Sequence, residues 1–175
     1  MQRVTVLLRP ASPGRSSAFV ALSAAILTAA GVALATPVSV LTVSDGASEF
    51  VGTLDREETL QYSYRQSIYR VTVFEELARE GTGLRIERAR SSDIRSIEYF
   101  GWKGEPEQAD GLWTEESPRS VAVDPELVIR ITPAGEQALS TSRWRVDLRP
   151  RFGETVVRVR AEDRPRLVAM LEGAR

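Results

Sequence analysis

The alternation of apolar and polar positions divides the chain into two unlike parts. From Ser16 to Ser44 there is no charge, and Ala18 to Val43 is dominated by Ala, Val, Leu and Ile, with Gly31 and Pro37 as interruptions. This run exceeds the roughly 20 apolar residues that a helix needs to cross a hydrocarbon core. It has no polar face, unlike a helix packed on a globular core. Beyond Asp45 the apolar period is mostly two, as in half-buried strands.

Leu60, Tyr62 and Tyr64 alternate with Gln61, Ser63 and Arg65, and Tyr69, Val71 and Val73 repeat the pattern. Ile68 breaks the alternation between them, which predicts a bulge or register change near Ser67. Gly81-Thr82-Gly83 separates Phe74–Glu80 from Leu84-Arg85-Ile86 and predicts a hairpin. Leu127, Ile129 and Ile131 share a face before a turn at Thr132-Pro133-Ala134-Gly135. The cleanest alternation is Arg143 to Arg149, with Trp144, Val146 and Leu148 facing the core. A turn from Arg149 to Glu154 leads into Val157, Val159 and Ala161, predicting a second antiparallel hairpin. A short C-terminal helix is expected, with Asp163 as N-cap, Pro165 in its first turn, an apolar stripe of Leu167, Val168 and Leu171, and Gly173 as stop. The Glu-, Pro- and Gly-rich stretch from Gly104 to Arg119 reads as a surface loop.

These elements predict a mainly β fold, an antiparallel β-sandwich or open barrel, with an N-terminal hydrophobic helix and a short C-terminal helix. Residues 1–44 form the expected membrane anchor or signal peptide and residues 45–175 the expected extracytoplasmic domain. The run Val38–Val43 lengthens the anchor unless it is the domain's first strand. Ala33-Leu34-Ala35 also fits a signal-peptidase site before Thr36.

Charge sets the orientation. Arg3, Arg9 and Arg15 precede the apolar run, whereas all 24 acidic residues lie at or after Asp45. The positive-inside bias leaves the N-terminus in the cytoplasm and exports the rest. Membrane contact is expected through residues 16–43. With 20 of the 23 basic residues in 45–175, that part has a net charge of −4, which gives no footprint for a phosphate backbone, so no nucleic-acid partner is expected.

Two absences restrict the chemistry. The chain has no cysteine and no histidine, which excludes disulfides, thiolate nucleophiles, cysteine-ligated metals and any Ser-His-Asp triad. Carboxylate chemistry, a Ser-Lys pair using the single Lys103, and hard-cation binding by oxygen ligands remain open. No cofactor, metal site or catalytic residue is assigned, and a non-enzymatic role is expected.

Candidate binding residues come from local concentrations of side chains. Tyr62, Tyr64, Tyr69, Arg65 and Arg70 bring aromatic faces and guanidinium forks within a few positions, a combination suited to an anionic or sugar-like ligand. Their plainer role is cross-strand packing. Glu75 and Glu76 point to opposite faces of a strand. Glu75 is expected to pair with an arginine, and Glu76 to be surface charge. Trp102 and Trp113 flank the expected loop and could line a cleft at its edge, whereas Trp144 reads as core. Arginines at 143–149 and 158–160 predict a basic stripe on one sheet face, suited to anionic head groups.

The run Tyr64-Arg65-Gln66-Ser67-Ile68, followed by Val73 and Glu75, resembles the Tyr-x-His-Ser-Val … Val-x-Glu pattern of the family called domain of unknown function 1850. Members of that family often carry an N-terminal apolar segment and are often encoded beside TAXI-type TRAP transporters. The layout from Phe50 to Arg160, with Gly111 mid-domain and Arg149 to Gly153 late, is compatible. Gln66 stands at the family's histidine, and Ser91-Ser92-Asp93-Ile94 stands where Gly-Ala-Gly is usual. Tyr64, Ser67 and Glu75 carry over, without an established reaction. The resemblance implies an extracytoplasmic, membrane-tethered accessory domain with a transporter subunit as partner. The expected ligand-binding positions are Tyr64, Arg65, Ser67, Glu75 and Trp102. A secreted or periplasmic small-ligand-binding sandwich, and a carboxylate-based hydrolase near Glu75, are the alternatives.

Overall fold

The computed structural model describes residues 35–173. The expectations for the N-terminal apolar helix and the signal site fall almost entirely outside the described residues. Among the described residues no helix is long and apolar enough to cross a membrane. The chain divides between Thr36 and Pro37.

In chain order the elements are β1 (Pro37–Ser44), β2 (Glu49–Thr53), β3 (Leu60–Arg65), β4 (Thr72–Glu80), β5 (Gly83–Ser91), α1 (Ile94–Glu98), β6 (Glu107–Ala109), β7 (Leu112–Glu116), β8 (Leu127–Arg130), β9 (Ala138–Ser140), β10 (Arg145–Asp147), α2 (Leu148–Phe152), β11 (Val156–Pro165) and α3 (Arg166–Gly173). The strands form two antiparallel sheets, one of four strands in the order β2-β1-β11-β8 and one of seven in the order β10-β9-β3-β4-β5-β7-β6. The fold is mainly β, as the two-residue period indicates.

The inner faces of both sheets meet in one apolar cluster. Leu41, Val43, Val157, Val159 and Ile129 come from the four-stranded sheet, and Leu60, Leu77, Leu84, Leu139 and Val146 from the other. Burial of this period-two pattern fixes each strand's register, because a one-residue slip would turn every apolar side chain to the wrong face. Val38–Val43 belongs to β1, so the β-rich part begins at Pro37, and the charge-free run outside it shortens to residues 16–36.

Two contacts bind the sheets at their margins. The Arg79 side chain, 4% exposed, reaches from β4 to β11, where it bonds the Asp163 carboxylate at 3.0 Å. The same carboxylate oxygen accepts from the Ser39 hydroxyl at 3.0 Å. Elsewhere the Trp144 indole lies on Gly52 of β2, and its Nε1–H donates to the Thr53 carbonyl at 2.7 Å. A Cβ at Gly52 would lie 2.5 Å from the indole ring, so only glycine admits this approach. Trp144 is thus half-buried between the sheets.

Several sequence expectations are corrected. The segment Arg143–Arg149 is not one strand. Thr141 N–H closes a turn on the Trp144 carbonyl at 2.9 Å, β10 has three residues, and Leu148 opens α2. Pro150 cannot donate to a ladder and fits a first helical turn. Gly153 stops the helix at φ 75°. The expected second hairpin does not form, because β10 pairs with β9 while β11 pairs with β1 and β8. Asp163 does not cap the last helix. Its carboxylate is held by Arg79 and Ser39, and β11 continues to Pro165 before α3 begins.

The break near Ser67 is a chain reversal rather than a bulge. Gln66–Val71 connects β3 to β4, with Arg70 in the left-handed region at φ 57°. The stretch Gly104–Arg119 contains the β6–β7 hairpin, turned at Asp110-Gly111 with φ 53° and 78°. That dipeptide is a strong two-residue hairpin signal. The Gly81-Thr82-Gly83 hairpin, the strand at Leu127 and the turn at Thr132–Gly135 are as expected.

Candidate functional site

The seven-stranded sheet has two chemically different faces, and the sequence-derived candidates are split between them. On β3 the inner positions are Leu60, Tyr62 and Tyr64. On β4 they are Val73, Glu75, Leu77 and Arg79, since Tyr62 lies opposite Glu75 and Tyr64 opposite Val73. Glu75 is 8% exposed. The Tyr64 hydroxyl donates to its carboxylate, and burial pushes the Glu75 carboxyl above its ordinary value, with the Tyr64 bond offsetting part of the shift. Burial also pushes both tyrosines upward, and the Glu75 charge adds to each. The Tyr62 hydroxyl meets the Gln137 amide. The two tyrosine rings lie 5.1 Å apart.

One inner row runs Leu139, Tyr62, Glu75, Ala89, Glu115 across five strands. Glu115, 4% exposed, accepts from the Gly104 N–H at 3.0 Å. The expected pairing of Glu75 with an arginine is therefore not observed. Its neighbour Glu76, on the outer face, takes that role with Arg90 at 2.7 Å and Arg88 at 3.4 Å. Only a carboxylate displayed outward can meet guanidinium groups whose own strand positions face outward. Among the described residues no group of three acidic side chains converges as a metal site.

Gln66, at the position of the resembled family's histidine, is buried. Its Oε1 accepts from the Ser96 hydroxyl at 2.6 Å. Ser96 lies on α1, which Asp93 caps by accepting the Arg95 N–H at 3.0 Å. The segment Ser91–Ile94 thus starts a helix that sequence periodicity did not reveal, although Asp93 before a helical turn is an N-cap signal. Ser67 is exposed in the β3–β4 connection. Tyr69 lies under the Arg95 guanidinium, 4.6 Å from ring centre to Cζ. Trp102 stacks on Phe100 with centres 4.8 Å apart, and Trp113 is an inner residue of β7 opposite Ser91. Tyr64 and Glu75 are thus brought together, whereas Arg65, Ser67 and Trp102 are not joined to them.

Arg65 instead opens onto the outer face. There a cleft of about 420 Å³ is bounded by Arg65, Arg145 and Arg149, by Glu136 and Asp147, and by the Phe74 ring, with Pro133 and Pro150 at its rim. Each guanidinium has an exposed carboxylate partner: Arg65 with Glu136 at 3.1 Å, Arg145 with Asp147 at 2.8 Å, Arg149 with Glu154 at 3.0 Å. Such exposed pairs contribute at most about 1 kcal/mol each, so an incoming carboxylate can exchange for a side-chain carboxylate at small cost. Glu136 occupies the left-handed region at φ 46°, a conformation that non-glycine residues rarely adopt. Arg145, Arg149, Glu136 and Phe74 were not singled out for this site from sequence. Their assembly depends on the β8–β9 turn meeting β10.

The expected basic stripe is divided. Arg158 and Arg160 lie on the other sheet, both paired with Glu126, and Arg143 pairs with Glu58 and Asp55. No family model, curated protein or solved structure matches the chain.

Proposed function

We propose that this chain is an extracytoplasmic domain, tethered to the cytoplasmic membrane by its N-terminal apolar segment, that serves as a non-enzymatic accessory of a TRAP-type solute transporter. In this reading the two sheets form a β-sandwich that presents a small-molecule site rather than a reaction centre. The observation that carries the binding role is the outer-face cleft, which three guanidinium groups and the Phe74 ring line together. Guanidinium forks bind carboxylates in two-point fashion, and an aromatic face accepts the apolar part of a small organic acid. A small organic carboxylate is therefore the proposed ligand class. The buried, Tyr64-bonded Glu75 favours binding over hydrolysis, because its carboxyl faces the interior instead of the cleft.

Tethering is supported by the charge-free run before Pro37 and the basic residues preceding it, and the transporter association by the family resemblance at Tyr64, Ser67 and Glu75. The test is calorimetric titration of the full chain in lipid nanodiscs with mono- and dicarboxylic acids. Saturable binding that is lost in Arg65→Ala and Arg145→Ala supports the site. No heat and no change in Tm across the panel would remove it. Co-purification from native membranes tests the association separately, and failure to recover any transporter component under conditions that preserve known complexes would overturn that part.

A further inference from the structure

Helix α3 is packed with its apolar stripe outward. It crosses the outer face of the four-stranded sheet, where Ala169 joins Val40 and Val51 in a small buried cluster edged by Val38. At about 100° per residue, Leu167, Val168 and Leu171 share one arc on the side away from Ala169. They are 46, 38 and 61% exposed. Among its described apolar side chains, the helix thus turns a small one to the protein and three larger ones to the surroundings, the reverse of an ordinary surface helix.

The position of the helix in the chain identifies what covers the stripe. Pro37, the first residue of β1, pairs with Pro165, the residue just before α3. The charge-free run 16–36 therefore joins the domain beside the start of this helix. Arg166, exposed at the head of the helix, adds a cation suited to anionic head groups. Three apolar side chains would hold a free protein to a bilayer only weakly, but a tether makes their insertion an intramolecular step at high effective concentration.

We infer that α3 is an interfacial helix, with Leu167, Val168 and Leu171 seated at the boundary between head groups and acyl chains. This rests on the tethered reading. The carboxylate cleft lies on the outer face of the opposite sheet, so a domain seated on α3 turns that cleft away from the bilayer and toward passing solute.

The chain contains no cysteine, so single introduced cysteines can be labelled uniquely. The full chain is reconstituted in vesicles of equal parts phosphatidylcholine and phosphatidylglycerol. Nitroxides are placed at Leu171→Cys, Val168→Cys, Ala25→Cys in the apolar run and Ala109→Cys in β6. Collision rates with oxygen and with a water-soluble nickel complex are then compared. Oxygen-to-nickel ratios at 168 and 171 several-fold above that at 109, with 25 also immersed, support the inference. Immersion at 25 with aqueous ratios at 168 and 171 overturns it and leaves the tether standing. An aqueous 25 overturns both. Low collision rates with both probes at 168 and 171, with dipolar broadening between copies, assign the stripe to a second copy and also overturn it. Because 168 and 171 are both outward positions, agreement between them excludes a local effect of one label.

Discussion

The two sheets share one apolar layer yet differ in what they bury. The four-stranded sheet contributes Leu41, Val43, Ile129, Val157 and Val159, and its one buried polar residue is Thr42. Ser63, Gln66, Glu75, Ser91, Ser96, Glu115 and Gln137 all belong to the seven-stranded sheet or the segments beside it. Buried polar groups cost stability unless bonded, and here the principal ones have named partners. One sheet is thus a packing platform, while the other carries the groups whose protonation and exchangeable pairs could respond to a ligand. Stability and chemistry are divided between sheets, so substitutions should separate them.

The largest effect is expected on the platform. Leu41→Ala, at a fully buried position in β1, should cost about 3 kcal/mol in urea unfolding. A cost under about 1 kcal/mol would show that β1 is not central to the shared layer. Next comes the contact that joins the sheets. Asp163→Ala leaves the Arg79 guanidinium buried without its carboxylate and should cost about 2 kcal/mol, less than a fully buried pair because Asp163 is partly exposed. Arg79→Met together with Asp163→Ala should recover part of that loss.

On the seven-stranded sheet the sign reverses. The Glu75 carboxyl is held above its ordinary value by burial, so the folded state binds this proton more tightly than the unfolded chain. Its stabilising contribution is present at low pH and is lost as pH rises through the folded value. Glu75→Gln, which keeps an acceptor for Tyr64, should therefore melt at higher temperature than the parent, by a margin that widens as pH rises above the ordinary carboxylate value of 4.5 toward the raised folded value. A lower Tm at the upper end of that range would mean that the ionised carboxylate is needed. The smallest effect concerns Glu58. Although desolvation raises its carboxyl, bonds from Arg143 and Ser142 prevail and lower it from 4.5 to about 2. Its contribution is complete above pH 4.5 and fades as pH falls toward about 2, so Glu58→Gln should flatten that part of the acid-unfolding curve.

The legible and illegible parts of this fold follow the same division. Strands with apolar inner faces, such as Leu127–Ile131 and Val157–Ala161, declare themselves by alternation. Strand β4 does not, because two of its inner positions, Glu75 and Arg79, are ionisable rather than apolar, the first held by Tyr64 of the neighbouring β3 and the second by Asp163 of β11. The same non-local contact hid the end of β11, where Asp163 has the residue type of a helix cap but is captured by Arg79 and Ser39. Arg143–Arg149 alternates well, yet Pro150 and the turn at Thr141–Trp144 decide its local structure. In the candidate site, Arg65 was visible as a cation among aromatics. Arg145, Arg149 and Glu136 reach it only through strand order, which no local pattern encodes.

The pairing of β1 with β11 also determines when the domain can assemble. Ser39 and Asp163 are bonded across 124 positions, and β11 is the strand that connects β1 to β8. Closing so long a loop is slow and depends on the last strand having arrived. A chain stopped before Val156 would leave β1 with β2 alone and β8 without a sheet neighbour. During synthesis the four-stranded sheet must wait for nearly the whole chain, so its apolar strands need shielding from wrong partners until β11 emerges.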